Sequence, residues 1–236
     1  MTTKIICSNR EELYKAATSR IAVLLEDAVE KNSKASFIVP GGTTPAPIFE
    51  RLSTMPLDWS KISVSPSDER WIDIELEQSN EYLIKETLLI NHAAEANFVA
   101  LKNSAETASL GEKVTEKNLK SLGSPCTVTI LGMGPDGHVA SLFPDCPQIN
   151  DALDLESKKS CIAIDAQGCS VAGSYTERMS LTLAKIIDSD LVILLFTGQL
   201  KLDVLNQAMR ERKSSSLPVA ALLAQTKTPV EVYWAL

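Results

Sequence analysis

Short runs of apolar residues recur along this chain, and segments with helical periodicity lie between them. The clearest runs cover residues 35–39, 62–64, 127–130 and 191–196. Strands that alternate with helices predict an α/β fold with a largely parallel sheet. The 236 residues are 44% hydrophobic, which fits one large domain or two small ones. No repeat or low-complexity linker appears, and we expect a single α/β domain over residues 1–236.

Charge and apolar patterning argue against several classes of partner. A net charge of -7 argues against a nucleic-acid surface. No run approaches the roughly 20 apolar residues of a membrane span, and residues 1–6 lack the apolar stretch of a signal peptide. The five cysteines are scattered and form no Cys-x-x-Cys pair, which predicts reduced packing residues and no zinc site. We therefore expect a cytoplasmic protein with no nucleic-acid or membrane partner.

A glycine-rich loop follows the third apolar run. Gly132, Gly134 and Gly137 allow left-handed backbone and close approach to a ligand, and Asp136 and His138 lie among them. An acid two residues before a histidine can hold the imidazole or share its proton. Open α/β sheets keep their chemistry at the carboxyl ends of strands, where this loop lies. Taken alone, the motif is equally compatible with an ordinary tight turn.

A second glycine turn follows the first apolar run. Gly41, Gly42, Thr43 and Thr44 stand between that run and a helical pattern. Unpaired N–H groups and the dipole of the following helix favour a bound anion, whereas the alternative is a plain turn and helix cap. The Walker lysine and the dinucleotide spacing are both missing, so ATP and NAD are not indicated.

Four further charged residues are candidates for a ligand site. Asp68 and Arg70 follow the second apolar run, where burial requires a partner or ligand, although a solvated loop is the alternative. Lys201 falls in the first turn of a predicted helix, where the dipole disfavours a cation unless an anion joins it; the alternative is an exposed lysine. Arg178 follows a glycine-dotted segment, residues 165–176, that is typical of a loop covering a site.

Together these residues closely resemble the 6-phosphogluconolactonase family over nearly the whole chain. That resemblance implies a Rossmann-like sheet with helices on both faces, a fold shared with glucosamine-6-phosphate deaminase and ribose-5-phosphate isomerase, and a small appended subregion. It also implies a sugar phosphate lactone as substrate, with no metal and no cofactor. The matching blocks are Gly41-Gly-Thr-Thr-Pro45, Asp68-Glu-Arg70 with Ser79-Asn80, the motif from Leu131 to Pro144, Arg178 with Leu181-Thr-Leu183, and Gly198 with Lys201.

The resemblance also implies a division of roles. His138 would act as general base on the attacking water, and Asp136 would orient it. Arg70, beside Asp68, would stabilise the oxyanion or hold the ligand, and both roles stay open. The phosphate would be held by Gly41, Gly42, Thr43, Thr44 and Lys201, with Arg178 as a further candidate.

Two other functions compete with lactone hydrolysis. The related deaminase carries a glutamate where this chain has Phe143, which favours the lactonase. A silent sugar-phosphate sensor is the third possibility, and an intact Asp136 and His138 argue against it. A covalent route through Ser141 lacks a nucleophile elbow. His92, the other histidine, is expected at the surface.

Overall fold

A computed structural model describes residues 2–212 and 215–236. Its strands and helices alternate along most of the chain, as the apolar pattern predicts. The strands are β1 (Thr2–Ile6), β2 (Ala35–Val39), β3 (Ile62–Pro66), β4 (Asp68–Arg70), β5 (Asn97–Phe98), β6 (Cys126–Leu131), β7 (Cys161–Asp165), β8 (Glu177–Leu181), β9 (Ser189–Thr197) and β10 (Val230–Ala235). The α-helices are α1 (Arg10–Asn32), α2 (Ala46–Ser53), α3 (Asn80–Thr87), α4 (Ala108–Leu119), α5 (Ile149–Leu153), α6 (Leu183–Ile186), α7 (Gln199–Glu211) and α8 (Pro218–Ala224).

Seven strands form one sheet in the order β1-β10-β9-β6-β2-β3-β5, and every neighbouring pair is parallel. From β2 the chain moves outward through β3 to β5, whereas β6, β9 and β10 follow on the other side. The strand order therefore reverses between β2 and β6. In open α/β sheets, ligands bind beyond the carboxyl ends of the strands at such a reversal. The two predicted glycine loops follow these two strands.

Both faces of the large sheet are covered, because side chains alternate across it. Ile38 packs in the core on one face, whereas its neighbours Phe37 and Val39 pack in the core on the other. The Phe37 face receives α1 and α2, including Leu13 and Ile48. The opposite face receives α4, α7 and α8. The expected Rossmann-like arrangement with a largely parallel sheet is confirmed.

A second, antiparallel sheet contains three strands in the order β4-β8-β7. The sequence favours a ligand or ion pair for the charged residues 68–70, with a solvated loop as the alternative. These residues form β4 and pair with β8, which the pattern did not predict. The pairing places Arg70 directly opposite Arg178. Two residues separated by more than 100 positions thus become neighbours, with Asp68 and Glu69 close by.

The outer edge of β7 is closed by side chains rather than by another strand. Its alternate N–H groups at Cys161, Ala163 and Asp165 each meet a side-chain oxygen, from Glu116, Glu112 and Gln148 at 3.2, 2.8 and 3.1 Å respectively. Capped N–H groups cannot template pairing with another chain.

Polar side chains cap the first and third helices. The Asn9 side chain accepts a 2.9 Å hydrogen bond from the Glu12 N–H at the start of α1, and Ser79 caps α3. The five cysteines are all free and buried. Within residues 2–212 and 215–236, no helix is long and apolar enough to cross a membrane. The same residues contain no group of three or more histidines, cysteines or acids arranged to hold a metal ion.

Candidate active site

The loop after β6 folds tightly around its own histidine. The Gly134 N–H donates to the His138 carbonyl at 2.9 Å, and Gly137 adopts a φ of +77°. A Cβ at Gly134 would overlap the His138 ring and approach the Asp136 carboxylate. Glycine is therefore required at 134 by close packing and at 137 by backbone conformation.

Asp136 fixes the orientation of the His138 imidazole. Its Oδ1 lies 2.6 Å from His138 Nδ1 and also accepts the His138 backbone N–H at 3.2 Å. Burial alone would raise the pKa of Asp136, but the hydrogen bonds and charge of His138 lower it overall. An ionised Asp136 accepts a hydrogen bond from the Nδ1–H of His138. The imidazole proton is thereby kept on Nδ1, which leaves the Nε2 lone pair available. The Phe143 ring packs against the imidazole with 4.5 Å between ring centroids.

The loop after β2 contributes four backbone N–H donors to the site. Among the described residues, no acceptor meets the N–H groups of Gly41, Gly42, Thr43 or Thr44. Gly42 has a φ of +93°, and α2 begins two residues after Thr44. Free donors at a helix N-terminus favour an anion.

The small sheet contributes two arginines that are held differently. Arg70 donates through Nη1 alone, to the Gln78 carbonyl at 2.7 Å and to Asn80 Oδ1 at 2.9 Å. Arg178 is 4% exposed and donates to the carbonyls of Tyr175 at 2.6 Å and Ala172 at 2.7 Å. Burial lowers the pKa of Arg178, and the negative charge of Asp68 opposes that effect. A guanidinium stays charged even so.

Two serines hold the carboxylate of Asp68. Ser67 Oγ donates to Oδ1 at 3.0 Å, and Ser141 Oγ donates to Oδ2 at 2.5 Å. The adjacent Glu69 is fully buried, and burial raises its pKa to about 7 against the opposing effect of three backbone N–H donors. Asp68 lines the site, whereas the Glu69 carboxylate accepts backbone N–H groups inside the fold.

Lys201 lies in the first turn of α7. The helix starts after Gly198, whose φ is +91° and whose carbonyl accepts the Trp234 indole N–H at 3.0 Å. Burial lowers the pKa of Lys201, and the negative charge of Asp136 partly offsets this. Its ammonium makes no hydrogen bond or ion pair with any residue that the structure describes. A half-buried cation in this state is suited to an anionic ligand.

One cavity of about 340 Å³ joins these elements at the strand-order reversal. All the predicted site residues line it except Asp136, which lies behind His138. The lining predicted from the sequence is Gly41, Gly42, Thr43, Thr44, Asp68, Arg70, His138, Arg178 and Lys201. A cavity of this size falls within the range of small-molecule sites.

Comparison with known proteins identifies the family. The family model for glucosamine-6-phosphate isomerases/6-phosphogluconolactonase matches residues 8–234. The chain belongs to this family. A 6-phosphogluconolactonase from Caulobacter vibrioides is 37% identical over 227 residues, which cover 96% of this chain and 94% of that relative.

Solved structures of the family share the whole fold. A 6-phosphogluconolactonase from Shewanella baltica superposes with a TM-score of 0.94 at 35% identity and covers 100% of this chain and 98% of its own. A monomeric glucosamine-6-phosphate deaminase shares the fold with a TM-score of 0.77 at 17% identity, covering 98% and 96% of the two chains. The lactonase and the deaminase structures thus share this fold.

Several cavity residues of this family member were not predicted as site residues. Asn80, Ala140 and Val171 line the cavity, and Phe143 lies between His138 and Arg178. Asn80 followed a serine that already sufficed as a helix cap, so a second polar residue there was an available signal. The roles of the others depend on the conformations of two loops, which apolar periodicity does not reveal.

Proposed function

We propose that this protein hydrolyses 6-phospho-D-glucono-1,5-lactone to 6-phosphogluconate, using water activated by His138 and no metal. The carrying observation is that a histidine oriented by Asp136 shares one cavity with free anion donors at residues 41–44 and at Lys201. A base at one end and an anion site at the other suit a lactone with a distant phosphate.

The phosphate end positions the ring. We assign phosphate binding to the N–H groups of residues 41–44 and the ammonium of Lys201. Arg178 adds a second positive charge beside the phosphate. Arg178 is already held by the carbonyls of Ala172 and Tyr175, so its location is fixed before ligand arrives. Holding the substrate by a non-reacting group lets binding energy orient the carbonyl.

The reacting end uses one base and a water molecule. The water oxygen bonds to the lactone carbonyl carbon while His138 Nε2 takes its proton. The bond from that carbon to the ring oxygen then breaks, and the ring oxygen takes the proton from His138. The products are a carboxylic acid, which ionises, and a hydroxyl on the opened chain. Asp136 holds the imidazole throughout.

Arg70 and Asp68 complete this end of the cavity. Arg70 has Nε and Nη2 free of described partners, so it can donate to the oxyanion or to the ligand phosphate. An oxyanion role lowers kcat on Arg70→Ala, whereas a phosphate role raises KM. We assign Asp68 to substrate hydroxyls, because Ser67 and Ser141 hold its carboxylate at the cavity wall.

The site disfavours ring-opening deaminase chemistry. Position 143 carries a buried phenyl ring that packs on His138, so it supplies no carboxylate.

The deciding experiment measures hydrolysis of freshly generated 6-phosphogluconolactone, with the spontaneous rate subtracted. Loss of a general base costs about 100- to 10,000-fold, so we expect His138→Ala to lower kcat at least a hundredfold. His92→Ala is the matched control, because His92 is exposed in the 3-10 segment Asn91–Glu95. An unmodified protein that binds 6-phosphogluconate without accelerating hydrolysis is a sensor, and one without either property overturns the proposal.

We further propose that the chain acts as one α/β unit in the cytoplasm, with the sheet β4-β8-β7 as its appended subregion. Five free cysteines support a reducing compartment.

A further inference from the structure

Asn80 links two separate elements of the cavity, strand β4 and the loop after β2. It is the first residue of α3 and is 4% exposed. Its Oδ1 accepts from Arg70 Nη1 at 2.9 Å, and its Nδ2 donates to the Asp68 carbonyl at 2.7 Å. Its carboxamide also packs so closely on Gly41 that a Cβ at Gly41 would overlap it. Asn80 therefore contacts β4 at both ends, through Asp68 and Arg70, and the 41–44 loop at Gly41.

The Glu69 carboxylate fixes the backbone at position 80 through hydrogen bonds. One carboxylate oxygen accepts the N–H groups of both Arg70 and Asn80 at 2.8 Å each. The other oxygen accepts the Glu81 N–H at 2.6 Å. The start of α3 is thus bound to β4, so the Asn80 side chain starts from a rigid point.

The chemistry at this position requires a carboxamide. Arg70 can only donate, so it needs an acceptor, and the Asp68 carbonyl can only accept, so it needs a donor. An asparagine supplies both groups from one short side chain. Aspartate supplies the acceptor alone, and alanine supplies neither.

We propose that Asn80 is a positioning residue for the reaction, setting the Arg70 guanidinium at a fixed separation from the 41–44 loop. This inference rests on the proposed lactone hydrolysis. Apart from Asn80, the only described acceptor for the Arg70 side chain is the Gln78 carbonyl. Without Asn80, the long and flexible Arg70 side chain keeps one of its two described hydrogen bonds, the one to the Gln78 carbonyl. Its Nε and Nη2 donors are then no longer held in a fixed orientation.

The test is a double-mutant cycle on Asn80→Ala and Arg70→Ala, read in kcat/KM and in the Kd for 6-phosphogluconate. Loss of a hydrogen bond to a charged group predicts a drop of about 10- to 100-fold for Asn80→Ala. In the Arg70→Ala background the same change is expected to cost less than about twofold. The isosteric Asn80→Asp keeps an acceptor for Arg70 and is expected to lose less activity than Asn80→Ala.

Ser79→Ala is the matched control, because it removes the cap bond to the Tyr82 N–H and the Ser79 hydroxyl bond to Glu69 but leaves both Asn80 side-chain bonds and the three backbone N–H bonds to Glu69 in place. It is expected to lower the melting temperature while kcat/KM stays within about twofold. Equal losses from Asn80→Ala in both backgrounds, or an equal loss from Ser79→Ala, would overturn the proposal. If the unmodified protein does not accelerate hydrolysis, the proposed function fails, and the Kd cycle alone then decides the role of Asn80.

Discussion

Ser141 donates a 2.5 Å hydrogen bond from its hydroxyl to the carboxylate of Asp68. Ser141 lies three residues after His138, and Asp68 begins β4, so the bond connects the histidine loop to the small sheet. Both residues are buried. The hydroxyl donates to Asp68, and we therefore predict that Ser141 supports the site and does not act as a nucleophile.

Removing the Ser141 hydroxyl separates the water route from a covalent route. Loss of a bond to a charged acceptor is expected to lower the free energy of unfolding by about 1–3 kcal/mol in Ser141→Ala. Because His138 stays in place, kcat is expected to fall by less than the roughly hundredfold loss of a missing base. Denaturant unfolding and initial rates measure both quantities. A loss of activity as deep as that of His138→Ala would favour acyl transfer through Ser141.

A methyl group at Gly134 is expected to displace the His138 imidazole while leaving the histidine itself unchanged. The added Cβ overlaps the His138 ring, so the ring must move away from Asp136. We expect Gly134→Ala to lower kcat by about 100-fold or more, as loss of the base does. Gly132→Ala adds the same methyl where no atom lies within 4 Å, and its melting temperature is expected to match that of the unmodified protein. Equal activity in Gly134→Ala and the unmodified protein would show that the ring position is unimportant.

The lowered pKa of Lys201 predicts that ligand affinity depends on pH. Burial favours the neutral amine, so Lys201 loses its proton at a lower pH than an exposed lysine. We therefore expect the affinity for 6-phosphogluconate to fall as pH rises through that lowered pKa. A bound phosphate stabilises the ammonium, so binding in this range takes up protons. Calorimetry in buffers of different ionisation enthalpy measures the uptake.

Two substitutions at Lys201 test this assignment. Lys201→Arg keeps its charge across the range, so the proton uptake is expected to disappear. Lys201→Ala is expected to raise KM far more than it lowers kcat, because the phosphate does not react. An unchanged KM in Lys201→Ala, or unchanged proton uptake in Lys201→Arg, contradicts the phosphate role.

The side-chain cap on β7 predicts a stability effect that is independent of activity. Glu116 accepts the N–H groups of Ser160 and Cys161 and the Ser160 hydroxyl. Glu116→Ala leaves these donors unpaired and is expected to cost about 1–3 kcal/mol of unfolding free energy. At about 2–4 °C per kcal/mol, calorimetry resolves the shift in melting temperature. Lys113→Ala, on the exposed side of the same helix, is the control, and an equal shift there would discount the cap.

The large sheet could be predicted from the sequence because its strands carry their own signal. Apolar runs at β2, β6 and β9 are each followed by a glycine turn, and parallel burial makes such runs continuous. In the small sheet only β7 carries a comparable signal, because the apolar residues at 161–164 predict a strand. Strand β4 consists of Asp68, Glu69 and Arg70, and its pairing with β8 depends on contacts between distant parts of the chain. Charged residues in a strand match the pattern of a solvated loop until those contacts are known.

The same distinction applies to the site. Residue types and glycine spacing identified His138, Asp136 and the 41–44 loop, because their chemistry is local. Asn80 and Phe143 act through contacts that only the assembled fold creates. The site roles themselves remain predictions for the experiments above.

The two hydrogen bonds that hold the Arg178 side chain have an evolutionary consequence. Both of its acceptors, at Ala172 and Tyr175, are main-chain carbonyls, so the arginine is held by the path of residues 166–176 and not by the identity of their side chains. Related sequences are therefore free to diverge within this segment provided that its length and its turns at Gly168 and Gly173 are preserved. Insertions and deletions there should be rarer than substitutions, which reverses the usual tolerance of surface loops.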